Sequence, residues 1–232
     1  MRVALIGHGK MGKMVEKVAR DRGHEIVHIL NSQNHPPGSE FSGEWVKITD
    51  ALIDFSVANA VHSNVEGALR AKIPIVVGTT GWTEHLDKIR TIVEADQGAC
   101  IYSSNFSMGV QVLFYLTGRA GELLSRFQDF HPFVVESHHA HKVDAPSGTA
   151  LTLCRILEES YRSDIPVSSV RAGFFPGNHT VGFDSPFDTL TLEHTARSRE
   201  SFARGALFAA KWLQDKTGFY SFEEILFGEE HD

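Results

Sequence analysis

Cysteine is scarce in this chain: two residues, Cys100 and Cys154, among 232. That excludes a disulfide-stapled scaffold and leaves free thiols in a reducing compartment as the simplest reading. Long apolar runs are also missing, and none approaches the roughly 20 residues of a membrane span. The opening MRVALIGHGKMG has no charged leader, long apolar core and cleavage site, so no secretory signal is expected. A soluble cytoplasmic chain with no membrane partner is the expectation. Basic charge is in deficit, with 22 Lys and Arg against 29 Asp and Glu, a formal net of −7. A nucleic-acid partner wants a basic face and is excluded on that balance. Internal repeats and low-complexity tracts are absent.

What is present is an alternating pattern. Short apolar runs at 2–7 (RVALIG), 24–30 (HEIVHIL), 51–56 (ALIDFS), 73–81 (IPIVVGTTG) and 99–107 (ACIYSSNFS) read as strands. Helical spacing follows them at Lys10–Arg20, about 58–71 and 83–95, while 32–43, with adjacent prolines, reads as loop. Strand-helix alternation implies a parallel sheet covered on both faces, an α/β Rossmann-type domain. After Met108 the rhythm changes. A long helix over 109–127, a strand over 133–139, a helix over 147–162, antiparallel strands within 168–196 and a last helix over 200–216 make an α+β second domain, with a mixed or antiparallel open sheet. A boundary is expected near 106.

Gly7, Gly9 and Gly12 form G-x-G-x-x-G between the first strand and the first helix. The mechanism needs that context: a tight turn, a backbone that a pyrophosphate can approach, and close helix–strand packing beneath free helical N–H groups. A ligand-free turn is the plain alternative, but the glycines and the sheet pattern together favour a dinucleotide. The acidic residue expected about 20 positions on, at the end of the second strand, is replaced by Asn31.

The densest chemistry is ESHHAHKVDAPSGTA at 136–150. Histidine suits proton transfer near neutral pH, and Lys142 offers a fixed cation for a carboxylate. Pro146 and Ser147 resemble a helix start, where the N–H groups of Gly148 and Thr149 would form an anion site. Ordinary capping uses the same geometry. A metal site is disfavoured because Lys142 would repel a cation. If the strand continues, His139 and His141 share one face and His138, with Glu136, the other; Glu136 and Asp144 then read as structural partners or orienters. A proton donor, a cation and an anion hole suit reduction of a small dicarboxylate.

These motifs carry a resemblance. VALIGHGKMG, LIDFS, VVGTTGW, SNFSMGV, ESHHAHKVDAPSGTA, GNHTVGF and SRESFARGAL occur in the order found in the dihydrodipicolinate reductase (4-hydroxy-tetrahydrodipicolinate reductase) family of diaminopimelate and lysine biosynthesis. The resemblance runs nearly end to end, and HHAHKVDAPSGTA is its most specific stretch. It implies hydride transfer from NADH or NADPH to an unsaturated dicarboxylate ring, followed by a proton. It implies His138 as acid/base residue, Lys142 as a second proton donor, and His139, Lys142, Ser147, Gly148 and Thr149 around the substrate. It implies Gly7, His8, Gly9, Lys10, Met11 and Gly12 at the pyrophosphate, Asn31 at the ribose, and Gly78, Thr79, Thr80, Ser103, Ser104, Asn105 and Phe106 as further cofactor contacts. No metal is implied. A homotetramer built through the second domain is implied, as are a cofactor domain of 1–106 completed by about 208–232 and a substrate domain of 107–207. Asn31 departs from the family's usual acidic residue, and the stretch between Phe183 and Thr191 is shorter than in longer members. The rival readings are another two-domain dehydrogenase, a nicotinamide-sensing regulator without catalysis, and a metal hydrolase. The first would not carry HHAHK-DAPSGT, the second wants a basic face, and the third is open to metal analysis.

Overall fold

The computed structural model describes residues 1–36 and 38–228. The chain divides into two compact units, Met1–Ser107 with the segment from Glu200 onward, and Met108–Arg199. The return to the first unit falls at Glu200, ahead of the position near 208 expected from the sequence. The whole of helix α7 (Glu200–Trp212) therefore belongs to the first unit, where Ala203, Ala206, Leu207 and Ala210 join its core.

The first unit holds strands β1 (Arg2–Ile6), β2 (Glu25–Leu30), β3 (Ala51–Asp54), β4 (Ile75–Val77), β5 (Ala99–Tyr102) and β10 (Gly218–Ser221), in spatial order β10-β5-β4-β3-β1-β2. Every pairing is parallel. Strands buried on both faces read as continuous apolar runs, and alternate residues feed two cores. Val3 and Leu5 pack with Val15, Val18 and Ala19 of α1 (Lys10–Asp21) and with α7. Ala4 and Ile6 face the other way, towards Val61, Val65 and Ala68 of α3 (Val61–Ala71) and Ile89 and Val93 of α4 (Leu86–Ala95). Burial of such side chains is worth about 1.5–3 kcal/mol each, which is why the glycine turn below rests on a stiff base. A short helix, α2 (Glu44–Ile48), lies inside the region read as following the loop, and α8 (Phe222–Phe227) follows β10.

The second unit packs α5 (Met108–Leu124) and α6 (Gly148–Tyr161) against a mixed sheet of order β7-β6-β8-β9, built from β6 (His131–His138), β7 (Val167–Arg171), β8 (Asn178–Asp184) and β9 (Thr189–Thr195). Val110, Leu113 and Phe114 of α5, Leu153 and Leu157 of α6, and Val134, Val181 and Phe183 of the sheet make its core. The strands within 168–196 alternate in direction as expected: β8 runs antiparallel to β6 and β9 antiparallel to β8, while β7 runs parallel to β6, so β7 and β8 point opposite ways. β7 pairs with β6 rather than with its chain neighbour β8, because α6 carries the chain back to the start of the sheet before β7 begins, and the sheet is mixed.

Candidate active site

In the first unit, register places most of the predicted cofactor residues on one sheet edge. Leu30, Ile6, Asp54, Val77 and Tyr102 form one row across β2, β1, β3, β4 and β5. The residues that follow this row are Asn31, Gly7, Phe55, Gly78 and Ser103. Ligands in open parallel sheets bind outside the carboxyl ends of the strands, and this is that edge.

Each glycine of the turn has a distinct reason. Gly7 has φ +89°, and a Cβ there would lie 2.3 Å from the Phe55 carbonyl oxygen. A Cβ on Gly12 would lie 2.1 Å from the Gly7 carbonyl oxygen, so helix and turn touch there. Gly9, the N-cap of α1, meets nothing within 4 Å. No side chain caps this helix and its first turn carries no acid. The helix start is thus a donor-rich, open cradle, which fits a pyrophosphate. Lys10 is exposed beside it and Met11 half-buried. His8 Nε2 lies 2.7 Å from Oε2 of Glu16, whose carboxyl is held below its usual range by that contact. Asn31 spends its Oδ1 on the N–H groups of Gln33 (2.9 Å) and Asn34 (3.3 Å). Both partners are donors, so the oxygen faces the turn and the NH₂ faces away from it.

The turn at Gly78–Thr80 hangs on Asp54, which sequence reasoning missed. Asp54 is fully buried; burial pushes its carboxyl up, against hydrogen bonds from Ser56, Asn64 and Thr79. Thr79 Oγ1 donates to Asp54 Oδ1 at 2.9 Å, and Gly78 N donates to the Asp54 carbonyl at 2.8 Å. Gly78 has no room for a side chain, because the Phe55 ring would lie 2.2 Å from its Cβ. Thr80 is exposed. Ser103 Oγ and Asn105 close a tight turn (2.9 and 3.1 Å), Ser104 is exposed at its tip, and Phe106 is buried against Phe222. Phe106 is therefore a core residue of this unit as well as a member of the predicted cofactor set.

In the second unit, strand alternation puts Val134, Glu136 and His138 on the covered face of β6. Glu136 stands opposite Ser169 on β7 and His179 on β8, and His138 opposite Arg171. Glu136 is fully buried. Its Oε1 accepts from Arg171 Nη2 at 2.6 Å and from the Ser147 N–H at 3.2 Å. Burial alone would raise its pKa, but hydrogen bonds from Arg171, Ser169 and Ser147, with the His138 charge, outweigh it and hold the carboxyl at about 2. Glu136 Oε2 lies 2.5 Å from His138 Nδ1, an ion-pair distance at which neither atom has an aligned hydrogen-bond partner. Burial pushes His138 down, Glu136 pulls it up, and Lys142 and Arg171 add to the lowering. A Cβ on Gly177 (φ +146°) would lie 3.2 Å from His138 Nε2, so glycine keeps that side of the ring clear.

His179, within the GNHTVGF motif but not singled out from the sequence, sets its ring 5.1 Å from that of His138, edge to face. Its Nε2 lies 3.2 Å from Ser147 Oγ, and burial pushes its pKa down to about 4. Ser147 is the N-cap of α6: its Oγ accepts from Ala150 N at 3.3 Å. Gly148 opens that helix with nothing within 4 Å of its Cβ position, and Thr149 follows, half-buried. Lys142 is drawn to Asp144, its Nζ donating at 2.7 and 2.9 Å, and Asp144 is lowered by that contact. The strand does not continue to His141, the condition for the expected alternation. It ends at His138; His139 N then donates to the Phe175 carbonyl at 2.8 Å, and His141 sits in a turn, with the His139 and His141 ring centroids 6.4 Å apart. Glu136, His138 and His179 bring one ligand atom each within 4.8 Å of one another. A divalent ion there would have to break the 2.5 Å carboxylate–imidazole contact beside Arg171, so an ion-paired proton-transfer histidine fits this donor set better than a metal.

Two family models cover nearly the whole chain. Residues 1–106 match the N-terminal domain of dihydrodipicolinate reductase, and residues 109–226 match its C-terminal domain. The chain belongs to the dihydrodipicolinate reductase family. A 4-hydroxy-tetrahydrodipicolinate reductase of Christiangramia forsetii is 37% identical, with 97% of this chain and 98% of the relative covered. One of Sulfurovum sp. is 35% identical, again over 97% and 98%. A dipicolinate-bound dihydrodipicolinate reductase from Paenisporosarcina sp. shares the fold, with a TM-score of 0.80 at 24% identity over 97% of this chain and 99% of that one. As a member of the reductase family, this chain matches the models of both its halves, the first covering the Rossmann-type sheet up to β5 and the second the mixed four-stranded sheet.

Proposed function

We propose that this chain reduces 4-hydroxy-tetrahydrodipicolinate to tetrahydrodipicolinate, with release of water, in diaminopimelate and lysine biosynthesis. It is an NAD(P)H-dependent oxidoreductase of that family. The observation that carries the reading is the buried His138, ion-paired to Glu136 in the same unit as the open, Ser147-capped start of α6. One group moves a proton and the other receives an anion.

The first unit receives the dinucleotide. Gly7–Gly12 cradle the pyrophosphate, Asn31 meets the ribose, and Gly78–Thr80 with Ser103–Phe106 line the rest. When bound, the nicotinamide supplies a hydride. In the second unit the N–H groups of Gly148 and Thr149 hold a substrate carboxylate, with Ser147 fixing the turn and His139 adding a contact. Lys142 exchanges its Asp144 partner for the substrate's second carboxylate. His138 delivers a proton from Nε2, the side kept clear by Gly177, and Lys142 is the alternative donor.

The assembly is a homotetramer in the cytoplasm. Supporting it are exposed apolar side chains of the second unit, including Val170 on β7, Leu190 on β9 and Phe187 between β8 and β9. Among the described residues no helix is long and apolar enough to cross a membrane. The test is NADH and NADPH consumption with freshly made 4-hydroxy-tetrahydrodipicolinate, with pyridine-2,6-dicarboxylate as competitor. No consumption with either cofactor would sink the reading, and failure of the dicarboxylate to compete would remove the anion site.

A further inference from the structure

The acid/base reading uses His138, Lys142 and the α6 turn, and it leaves the most deeply buried charged side chain of the cluster without a task. Glu136 divides its two oxygens between different partners. Oε1 takes Arg171 Nη2 (2.6 Å) and the backbone N–H of Ser147 (3.2 Å). Oε2 faces the Nδ1 of His138 at 2.5 Å. Arg171 in turn ties the intervening loop, donating from the same Nη2 to the Asp144 carbonyl at 2.5 Å.

We propose that Glu136 is a positioning residue serving both halves of the substrate site at once: Oε2 orients His138 and keeps its proton on Nδ1, and Oε1 anchors Ser147, where the anion-binding turn of α6 begins. The proposal rests on the functional reading of His138 and of Gly148–Thr149 given above. The Glu136–His138 contact acts through proximity and charge, since at 2.5 Å it is not aligned as a hydrogen bond. A carboxylate with no exposed surface takes up a proton unless a cation holds it, and Arg171 is that cation. Oε2 therefore stays an acceptor. A neutral imidazole beside it places its hydrogen on Nδ1 and its lone pair on Nε2, the atom on the Gly177 side. When Nε2 is protonated, the imidazolium meets a counter-charge that is already in place.

The groups facing His138 come from every surrounding element. Glu136 lies on β6, Arg171 on β7, Lys142 in the loop, and His179 on β8. Burial, Lys142 and Arg171 all push His138 towards its neutral form, and His179 is itself neutral near pH 7. Glu136 is the counterweight that keeps His138 able to hold a proton.

The test is a titration of the His138 ring nitrogens by ¹⁵N NMR, in protein without substrate, comparing wild type with Glu136→Gln. The resonances are assigned by their loss in His138→Gln. The wild type should hold the Nδ1–H tautomer. In Glu136→Gln the pKa of His138 should fall by at least about one unit, with mixed tautomers. The pH limb of kcat that reports the protonated histidine should move to lower pH with it, and pyridine-2,6-dicarboxylate should bind several-fold more weakly. Should Glu136→Gln not fold, Arg171→Gln removes the cation that holds the carboxylate charged, so Glu136 should take up a proton and His138, losing its counter-charge, should again move down. A purely structural Glu136 would change stability and leave this titration in place. An unaltered His138 titration and tautomer overturns the proposal. Near-normal turnover of His138→Gln overturns the acid/base reading, and this proposal with it.

Discussion

The carbonyl oxygen of Gly7 stands 2.1 Å from the point where a Cβ on Gly12 would be, whereas Gly9, between them, faces open space. One glycine is demanded by packing and the other by whatever occupies that space. Gly12→Val should therefore lower stability by about 1–3 kcal/mol or more, because the overlap is with backbone. Gly9→Val should leave Tm unchanged, since its φ of −77° and ψ of −156° suit any residue. It should nonetheless weaken NADPH binding about tenfold or more, about 1.4 kcal/mol. Melting curves and fluorescence titration of both variants check this split; equal cofactor affinity for Gly9→Val and wild type would place the pyrophosphate elsewhere.

His138→Gln should lose about 10²- to 10⁴-fold in turnover, the usual contribution of a general acid. Cofactor affinity should hold, because the residue lies in the second unit. Steady-state kinetics with a parallel NADPH binding isotherm measure both numbers, and a variant turning over normally removes His138 from the role.

Acid should destabilise the second unit through His179. Burial pushes its pKa to about 4 from an ordinary 6.5. Between those values the unfolded chain binds a proton that the folded chain does not, so stability rises with pH across that window. The contribution is complete above pH 6.5 and lost as pH falls towards 4. Below that, Glu136 continues the trend. Its carboxyl, held at about 2, adds stability that is full above about 4.5 and lost towards 2. Urea melts at pH 7, 5.5 and 4.5 should show His179→Asn losing less stability than wild type over this range. Parallel curves for the two proteins would mean that the ring is not held neutral.

Cofactor choice should be loose. Asn31 has no charge with which to repel the extra phosphate of NADPH, and its NH₂ is the end left facing out of the turn. Both cofactors should be used, with less than a roughly 30-fold difference in kcat/KM, about 2 kcal/mol. Asn31→Asp keeps an acceptor for Gln33 and Asn34 and exchanges the outward donor for a charge. NADPH binding should suffer more than NADH binding. Isothermal titration of parent and variant with each cofactor decides it, and a parent rejecting NADPH a thousandfold would point to a residue outside this turn.

The first sheet was legible because its strands are continuous apolar runs and each is followed by a helical repeat or a turn signal. The G-x-G-x-x-G turn was legible because steric needs as close as that of Gly12 admit one residue type. β10 was not. Gly-Phe-Tyr-Ser is too short to display a period, and it becomes a strand by pairing with β5. The direction of β7 was legible but its partner was not: with two serines among five residues its own pattern does not select β6, to which the crossover through α6 delivers it. In the second unit the alternation of Glu136 and His138 onto one face could be read from spacing. The meeting of Glu136 with His179 could not, because it depends on a register between strands more than 40 residues apart. Pairing of Lys142 with Asp144 is local in sequence, yet it follows from a loop path that no periodicity describes.

The parallel strand β10 lies at the edge of the first sheet, joined to β5, although more than a hundred residues separate the two in the chain. During synthesis, then, the amino-terminal unit cannot complete its sheet when its own first 107 residues emerge. The edge of β5 stays unpaired, a template for stray strands, until the second unit has been made and the last helix and strand arrive. The second unit is continuous and can close first. Assembly on the ribosome should thus run against the order of the sequence, with the later-made unit finishing before the earlier one, and a chain cut short before Gly218 should be aggregation-prone even though the 107-residue amino-terminal segment of the first unit is intact.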